Sequence, residues 1–220
     1  MMATAAFQIG ACAPQRDPAH LVLCRRLADG TPIVVRPIQP EDDAIERAFI
    51  GGLSSDTRYN RLLGARKLTP EEIRRLTRID YAQEMAYVAV TGQAEQVRLL
   101  GVARYVRDAD AAAEFALVVT DAWQRRGVGT LLLDTLLRHA HAAGIVRLLG
   151  ITLATNQAMQ KLARKLGFTQ TLDPRDATVR QVEKILAHTA APTAQHSSAQ
   201  YQDIAANDET RAHASRSGRL

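Results

Sequence analysis

The sequence predicts a mixed α/β fold in which a twisted, mostly antiparallel sheet contains a central parallel strand pair and is flanked by helices. Three β-rich runs, 85–91, 97–107 and 112–120, follow one another with only short polar stretches between them, which is typical of an antiparallel meander. The last run is followed by a long amphipathic segment and then by a further β-rich run. This order of strand, helix and strand favours one parallel pair inside the antiparallel sheet.

The first part of the chain predicts one strand and three helices. Residues 32–37 are β-rich, and an acidic stretch then marks the positively polarised start of a helix that ends at a pair of glycines. A second helix is predicted over 54–63. A third begins at Thr69, which is followed by a proline and, three residues on, by Glu72, the pattern of a capping box.

The second half of the chain predicts a long helix, a strand, a shorter helix and two final strands. In the long helix, apolar and small residues recur on one stripe, and Gly144 follows as a C-terminal stop. Gly167 ends the shorter helix in the same way. The predicted elements are, in order, 128–143, 146–153, 156–166, 168–172 and 178–186.

The chain of 220 residues has room for one domain of ordinary globular size, with a polar segment at each terminus. Residues 188–220 are rich in Ala, Ser, Thr, Gln and Asn and hold only three large apolar residues, and residues 1–20 have a similar composition. Such segments bury too little surface to offset the entropy that is lost on ordering. We therefore expect a disordered leader over 1–20, one domain over 21–187 and a disordered tail over 188–220.

The composition limits the classes of partner. No apolar run approaches the roughly 20 residues that span a bilayer, and both cysteines, Cys12 and Cys24, lie too close to the N-terminus to brace the core. We expect a cytoplasmic protein without a membrane partner.

The net charge is +5, but the basic residues lack the aromatic interleaving of a nucleic-acid surface. Those on the predicted helices, Arg58 and Arg61 among them, are expected to face solvent, and no nucleic-acid partner is predicted.

The segment from Gln124 to Thr130 places two glycines and two arginines between a predicted strand and the long helix. The N–H groups at a helix start face a region where the macrodipole favours an anion, glycines allow a close approach, and arginines add positive charge. This pattern predicts phosphate binding. A P-loop is excluded because Thr130 stands where its lysine belongs, and a dinucleotide fingerprint is excluded because Leu132 replaces its third glycine.

The loop resembles the cofactor motif of the GNAT superfamily of N-acetyltransferases, whose Gln or Arg, Gly, and Gly or Ala stand at the positions of Gln124, Gly127 and Gly129. A second GNAT signature, the helix that Asn156 leads, follows at the expected distance. Short matches over 31–186 also resemble the acetyltransferase domain of bacterial Pat-type protein lysine acetyltransferases. The resemblance implies a GNAT fold and acetyl-CoA as the co-substrate.

The binding roles of the family transfer to particular residues of this chain. The resemblance implies that the loop amides bind the coenzyme A pyrophosphate, that the preceding strand pairs with the pantetheine arm, and that the helix led by asparagine borders the cofactor. The loop residues are Gln124, Arg125, Arg126, Gly127, Val128, Gly129 and Thr130, the strand residues are Leu117, Val118 and Val119, and the helix residue is Asn156.

Amide formation requires a neutral amine, and a lysine ammonium with a pKa near 10.4 costs about 4.6 kcal/mol to deprotonate at pH 7. The family places a glutamate near the start of the strand that leads into the loop. Glu114 holds that position, so the resemblance implies Glu114 as the general base. A solvated glutamate beside a hairpin is the alternative. The tyrosine that often protonates the leaving thiolate is replaced by Ala163, so no general acid is predicted.

The expected function is transfer of acetyl from acetyl-CoA to an amine, with a protein lysine as the leading acceptor. The sequence does not exclude other acceptors, namely a small amine such as a polyamine or aminoglycoside, or a protein N-terminus. The resemblance implies that the acceptor groove is built by the early helices over 41–80, which are the variable part of the family. A non-catalytic acyl-CoA-binding module and nucleic-acid binding are the alternatives from other classes. No metal is predicted, since His139 and His141 are two apart on the long helix and do not share a face. No oligomeric state is predicted.

Overall fold

A computed structural model describes residues 22–62, 68–93, 96–108 and 111–186. All of these residues belong to one compact unit. The leader predicted over 1–20 and the tail predicted over 188–220 lie outside the described residues. Every helix within the described ranges is too short or too polar to cross a membrane.

One eight-stranded sheet forms the centre of this unit. Its strands are β1 (Leu23–Arg26), β2 (Pro32–Pro37), β3 (Glu84–Thr91), β4 (Arg98–Arg107), β5 (Ala112–Val119), β6 (Arg147–Leu153), β7 (Thr169–Leu172) and β8 (Val179–Ile185). Their spatial order is β1-β2-β3-β4-β5-β6-β8-β7, and β5 with β6 is the one parallel pair among the described strands. The predicted mixed α/β fold is confirmed.

Five α-helices accompany the sheet in the described part of the chain. They are α1 (Asp43–Gly51), α2 (Ser55–Leu62), α3 (Pro70–Thr77), α4 (Val128–Ala142) and α5 (Gln157–Lys165). The predicted capping box starts α3, because the Thr69 hydroxyl accepts from the N–H of Glu72 at 3.2 Å and the Glu72 carboxylate accepts from the N–H of Thr69 at 2.8 Å. Left-handed glycines follow α4 and α5 as predicted, Gly144 with φ 79° and Gly167 with φ 77°.

Hydrophobic cores lie on both faces of the sheet, because alternate residues of a strand point to opposite sides. On one face Tyr105 of β4 belongs to a buried cluster that contains Leu132 of α4. On the other face Val102 of the same strand belongs to a cluster with Phe49 of α1. The sheet is therefore held between two helical layers, with α1 on one side and α4 on the other.

The edge strand β1 and the place of β8 are features that the sequence pattern did not predict. Leu23 of β1 pairs with Val35 of β2, but three of the four residues of β1 are exposed, so the strand lacks an apolar alternation. β8 lies between β6 and β7. The first predicted helix begins as a 3-10 turn over Pro40–Asp42, and Arg36 holds this turn through a 2.6 Å ion pair with Asp42.

Candidate active site

The site begins where the parallel strands β5 and β6 separate. They pair at only three positions, the last being Glu114 opposite Leu149, although both strands continue further. Beyond Glu114, the edge of β5 that faces β6 has no partner strand in the described residues, so its backbone N–H and C=O groups are open to a ligand, apart from the Val119 carbonyl, which accepts from the Gln124 side chain. At this fork a Cβ at Gly150 would lie 2.7 Å from the Phe115 ring. The packing of Phe115 therefore requires glycine at position 150.

A cleft of about 1040 Å³ fills the opening between the two strands. It is large enough for a ligand of cofactor size. Its lining includes ten of the twelve predicted site residues: Glu114, Leu117, Val118, Val119, Gln124, Arg125, Gly127, Gly129, Thr130 and Asn156. Side chains from both faces of β5 contribute, so the cleft passes along the free edge of that strand from one face of the sheet to the other.

The loop before α4 has the backbone of an anion cradle. Arg125 and Gly127 both have positive φ, 58° and 93°, and left-handed residues in such a loop turn successive N–H groups toward one concave side. Gly127 is the N-cap of α4, so the first N–H groups of that helix lack intrahelical acceptors and carry the positive end of its dipole. A Cβ at Gly129 would come within 3.4 Å of Leu162 across the cleft. The loop therefore fits a diphosphate that approaches the backbone closely.

Hydrogen bonds join this loop to α2. The Asp121 carboxylate accepts from the Thr57 hydroxyl at 2.7 Å and from the Ser54 hydroxyl at 2.8 Å. The Gln124 amide donates to the same Thr57 hydroxyl and to the carbonyl of Val119, each at 3.1 Å. Partial burial alone would raise the pKa of Asp121, but the hydrogen bonds from Thr57 and Ser54 lower it. Gln124 thus links the end of β5, the helix α2 and the loop.

Arg126 and Val128 are the two predicted site residues that lie away from the cleft. The Arg126 guanidinium forms an ion pair with Asp29 and lies 4.1 Å from the centre of the Trp123 ring. Val128 is completely buried in the core against the sheet. Any part that these two residues take in ligand binding is therefore restricted to their backbone N–H groups.

The start of α5 forms another wall of the cleft. Asn156 caps this helix, with its Oδ1 atom accepting from the N–H of Met159 at 3.1 Å. Lys161 and Lys165 of α5 also line the cleft, as does Arg125 from the loop. Because all three side chains are cationic, this end of the cleft attracts an anionic ligand.

Glu114 lies at the fork, exposed to solvent and in the wall of the cleft. It shares a strand face with Ala116 and Val118, since these residues are two and four positions further along β5. That face is the one that α1 and α2 cover beyond the fork. Glu114 is therefore reached from the side of the early helices, while the loop before α4 lies at the far end of β5.

A second, inner cavity of about 170 Å³ lies beneath the early helices. Its lining is apolar apart from Glu46, Arg58, Arg61 and Arg104. Glu46 is only 2% exposed, and its Oε2 atom has no hydrogen-bond partner in the described part of the chain. Burial raises the pKa of Glu46 to about 7, although attraction by Arg104 and Arg61 opposes this rise. An acid and three arginines therefore share a poorly solvated space.

Arg61 is one of the cleft residues that the sequence pattern did not identify. The prediction that Arg61 faces solvent is wrong, because its side chain lines both the cleft and the inner cavity. Its charged neighbours come from α1, β4 and β5, so no local pattern indicates them. Asp56, Thr57 and Asn60 of the same helix also line the cleft, and helix α2 is thus a wall of the site.

The described ranges contain no cluster of three or more His, Cys, Asp or Glu side chains that is able to hold a metal ion. His139 instead contacts the Tyr105 hydroxyl, with 3.0 Å between Nδ1 and that oxygen. Burial lowers the pKa of the His139 ring. This histidine therefore belongs to the packing between α4 and the sheet.

Comparisons with known proteins agree with this geometry. The model of the family described as acetyltransferase (GNAT) domain matches residues 33–169. A Pseudomonas aeruginosa protein named as an acetyltransferase is 34% identical over 154 residues, which cover 69% of this chain and 83% of that protein. The acetyltransferase Pat of Mycolicibacterium smegmatis is 35% identical over 137 residues, which cover 60% of this chain and 40% of that protein. The GNAT domain of S. lividans PAT is similar with a TM-score of 0.70 at 27% identity, over 78% of this chain and 100% of that domain.

Proposed function

This chain belongs to the GNAT acetyltransferase family, and we propose that it transfers acetyl from acetyl-CoA to the side-chain amines of lysine residues in proteins. The observation that carries the proposal is that the loop before α4, the free edge of β5 and Glu114 meet in one cleft. The reaction needs these three parts, which are an anion cradle, an unpaired backbone edge and a base beside it.

The residues of the cleft fit coenzyme A. In this proposal the N–H groups over 124–130 hold the pyrophosphate at the start of α4, and the side chain of Arg125 adds positive charge. The free edge of β5 at Leu117, Val118 and Val119 binds the pantetheine arm in the way that a sheet edge accepts an added strand. Asn156 borders the cofactor on the opposite wall. Bound acetyl-CoA supplies the thioester carbonyl carbon that the amine attacks.

Glu114 acts as the general base in this proposal. Its carboxylate accepts a proton from the acceptor ammonium, directly or through one water. The neutral nitrogen then forms the C–N bond and loses its second proton to solvent, which gives the amide as the C–S bond breaks. The base offsets part of the roughly 4.6 kcal/mol that deprotonation of lysine costs at pH 7. Solvent protonates the leaving thiolate, because Ala163 is buried and carries no hydroxyl.

The choice of a protein lysine as acceptor is supported by the similarity to Pat acetyltransferases. The exposed position of Glu114 supports it as well, since a side chain on the surface of a large protein is able to reach an open fork. A small amine or a protein N-terminus would be acetylated by the same chemistry, so the acceptor must be identified by experiment.

The test supplies labelled acetyl-CoA to the purified protein together with a cell protein extract and, in parallel, with a panel of small amines. Label on lysine side chains of extract proteins is the expected result. Label only on small amines or on protein N-termini would overturn the acceptor and leave the transfer reaction in place. Tight binding of acetyl-CoA without release of free thiol would instead identify a non-catalytic acyl-CoA-binding module.

The variant Glu114→Gln separates chemistry from binding, because it removes the proton acceptor and keeps the shape of the side chain. We expect acetyl-CoA affinity to stay within about twofold while turnover falls by about 10²- to 10⁴-fold. Glu41→Gln is the matched control, since Glu41 is exposed and lines neither cavity. Wild-type turnover in Glu114→Gln would remove Glu114 from the mechanism.

A further inference from the structure

The cleft and the inner cavity share one wall. Both spaces are lined by Arg61 and Leu62 at the end of α2 and by Ala116 and Val118 of β5. In the proposed function the loop before α4 holds the pyrophosphate and the base lies at the fork, so the thioester lies between these two ends of β5. The acyl group is then next to Ala116, with the inner cavity on the other side of the shared wall.

The inner cavity holds more positive than negative charge. Glu46 is its one acid, and three arginines line it, which are Arg58, Arg61 and Arg104. No ion pair joins Glu46 to any of these three described arginines. The acids that line the cleft do not line the inner cavity, and they are Asp56, Glu114 and Asp121. The walls of the inner cavity therefore leave a surplus of cations.

Arg61 differs from the other two arginines in its partners. Arg58 donates to the carbonyl of Leu53 at 2.9 Å, and Arg104 donates to the carbonyl of Leu76 at 2.8 Å. No hydrogen bond or ion pair joins the Arg61 side chain to any other residue in the described ranges. A partly buried guanidinium in the wall of a substrate cleft thus has its donors free for an anionic ligand.

We propose that this protein also accepts acyl donors whose acyl group ends in a carboxylate, as in succinyl-CoA, and that Arg61 binds that carboxylate. The fork of an arginine matches the two oxygens of a carboxylate, and such charge-assisted hydrogen bonds are stronger than neutral ones. The inner cavity of about 170 Å³ has room for a four-carbon chain, since a cavity of about 150 Å³ holds benzene. The inference rests on the proposed function and extends its transfer reaction to a second class of donor.

The bonds that form and break are those of acetyl transfer. The acceptor nitrogen bonds to the thioester carbonyl carbon, the C–S bond breaks, and coenzyme A leaves as the thiolate. Glu114 takes one proton of the acceptor ammonium, and solvent takes the second. The distal carboxylate is neither formed nor consumed, so no further reactant is needed. A lysine cation becomes a succinylated side chain that carries a negative charge.

The test compares succinyl-CoA with butyryl-CoA, whose acyl group has the same four carbons and no carboxylate. Calorimetry with the full chain measures the affinity of each donor without any need for turnover. We expect the wild type to bind succinyl-CoA about tenfold more tightly than butyryl-CoA, because hydrogen bonds to charged groups are the strong class. The readout is the ratio of the two affinities, since damage to the fold or to pyrophosphate binding weakens both donors alike.

Three variants test the role of Arg61. Arg61→Met should lower the ratio about tenfold, and Arg61→Lys, which keeps the charge, should retain part of the preference. Glu46→Gln removes the one acid of the inner cavity and should raise the ratio about threefold, and it carries the test if Arg61→Met folds poorly. Arg47→Met is the matched control, because Arg47 is exposed, pairs with Asp43 and lines neither space. Its ratio should equal that of the wild type.

The inference requires both binding and transfer. A wild type that prefers butyryl-CoA, or a ratio that is the same in the wild type and in Arg61→Met, would overturn it and leave Arg61 to another anion, such as an acid of the acceptor. With an amine acceptor that is acetylated, mass spectrometry should also find the succinylated product. Acetyl transfer without succinyl transfer refutes only this inference, whereas absence of transfer from both donors refutes the proposed function.

Discussion

Glu46→Gln should make the protein more stable at alkaline pH than the wild type. Glu46 is 2% exposed, one of its oxygens has no hydrogen-bond partner among the described residues, and burial raises its pKa from 4.5 to about 7. A carboxyl with a raised folded pKa favours the folded state fully below its unfolded pKa, and this contribution is lost as the pH rises toward and through 7. Glutamine has the shape of the protonated acid and does not ionise.

The magnitude follows from the two pKa values. A difference of about 2.5 units corresponds to about 3.4 kcal/mol at high pH. Between pH 5 and pH 8 the wild type should therefore lose about 2.5 kcal/mol of unfolding free energy that Glu46→Gln keeps. For a chain of this length that difference corresponds to about 5–10 °C in Tm.

Thermal melts of both proteins at half-unit steps from pH 5 to pH 8 measure this difference. Groups that titrate in the same way in both proteins contribute equally to the two unfolding free energies, so their contributions cancel when the proteins are compared at each pH. Glu41→Gln is the control for the loss of one exposed charge. Parallel curves for wild type and Glu46→Gln would refute the reasoning, because they would show that the Glu46 carboxylate is solvated or fully paired by the arginines in the folded protein.

Two further predictions concern the loop before α4. Gly127→Ala adds a Cβ that meets nothing within 4 Å, so its effect is backbone strain at φ 93°. We expect about 1–2 kcal/mol of lost stability or, if the loop relaxes, about tenfold weaker acetyl-CoA binding in calorimetry; wild-type melting and wild-type affinity together would contradict the anion cradle. Asp121→Asn disturbs the hydrogen bonds from Ser54 and Thr57, and we expect about 1 kcal/mol of lost stability in melts and a raised KM for the acceptor because α2 loosens. An unchanged KM would show that α2 is held without Asp121.

The amino-acid sequence determined the local elements of this protein. The apolar period of α4, the capping box at Thr69 and the left-handed glycines after α4 and α5 act within a few residues, so their positions could be predicted closely. The turn before α4 is local too, because the left-handed backbone at Arg125 and Gly127 and the start of the helix lie within a few residues of one another. Ten of the twelve predicted site residues line one cleft.

Tertiary structure decided the relations between elements that are distant in the chain. The partner of Asp121 is Thr57, 64 positions away, and the charged neighbours of Arg61 come from three other elements. The side chains of Arg126 and Val128 lie outside the cleft, where Arg126 pairs with Asp29 and Val128 is buried in the core. The edge strand β1 and the place of β8 likewise depend on backbone pairing across the sheet. Propensity and periodicity report only neighbours along the chain, whereas burial and charge at Glu46 and Arg61 arise when separate segments exclude water together.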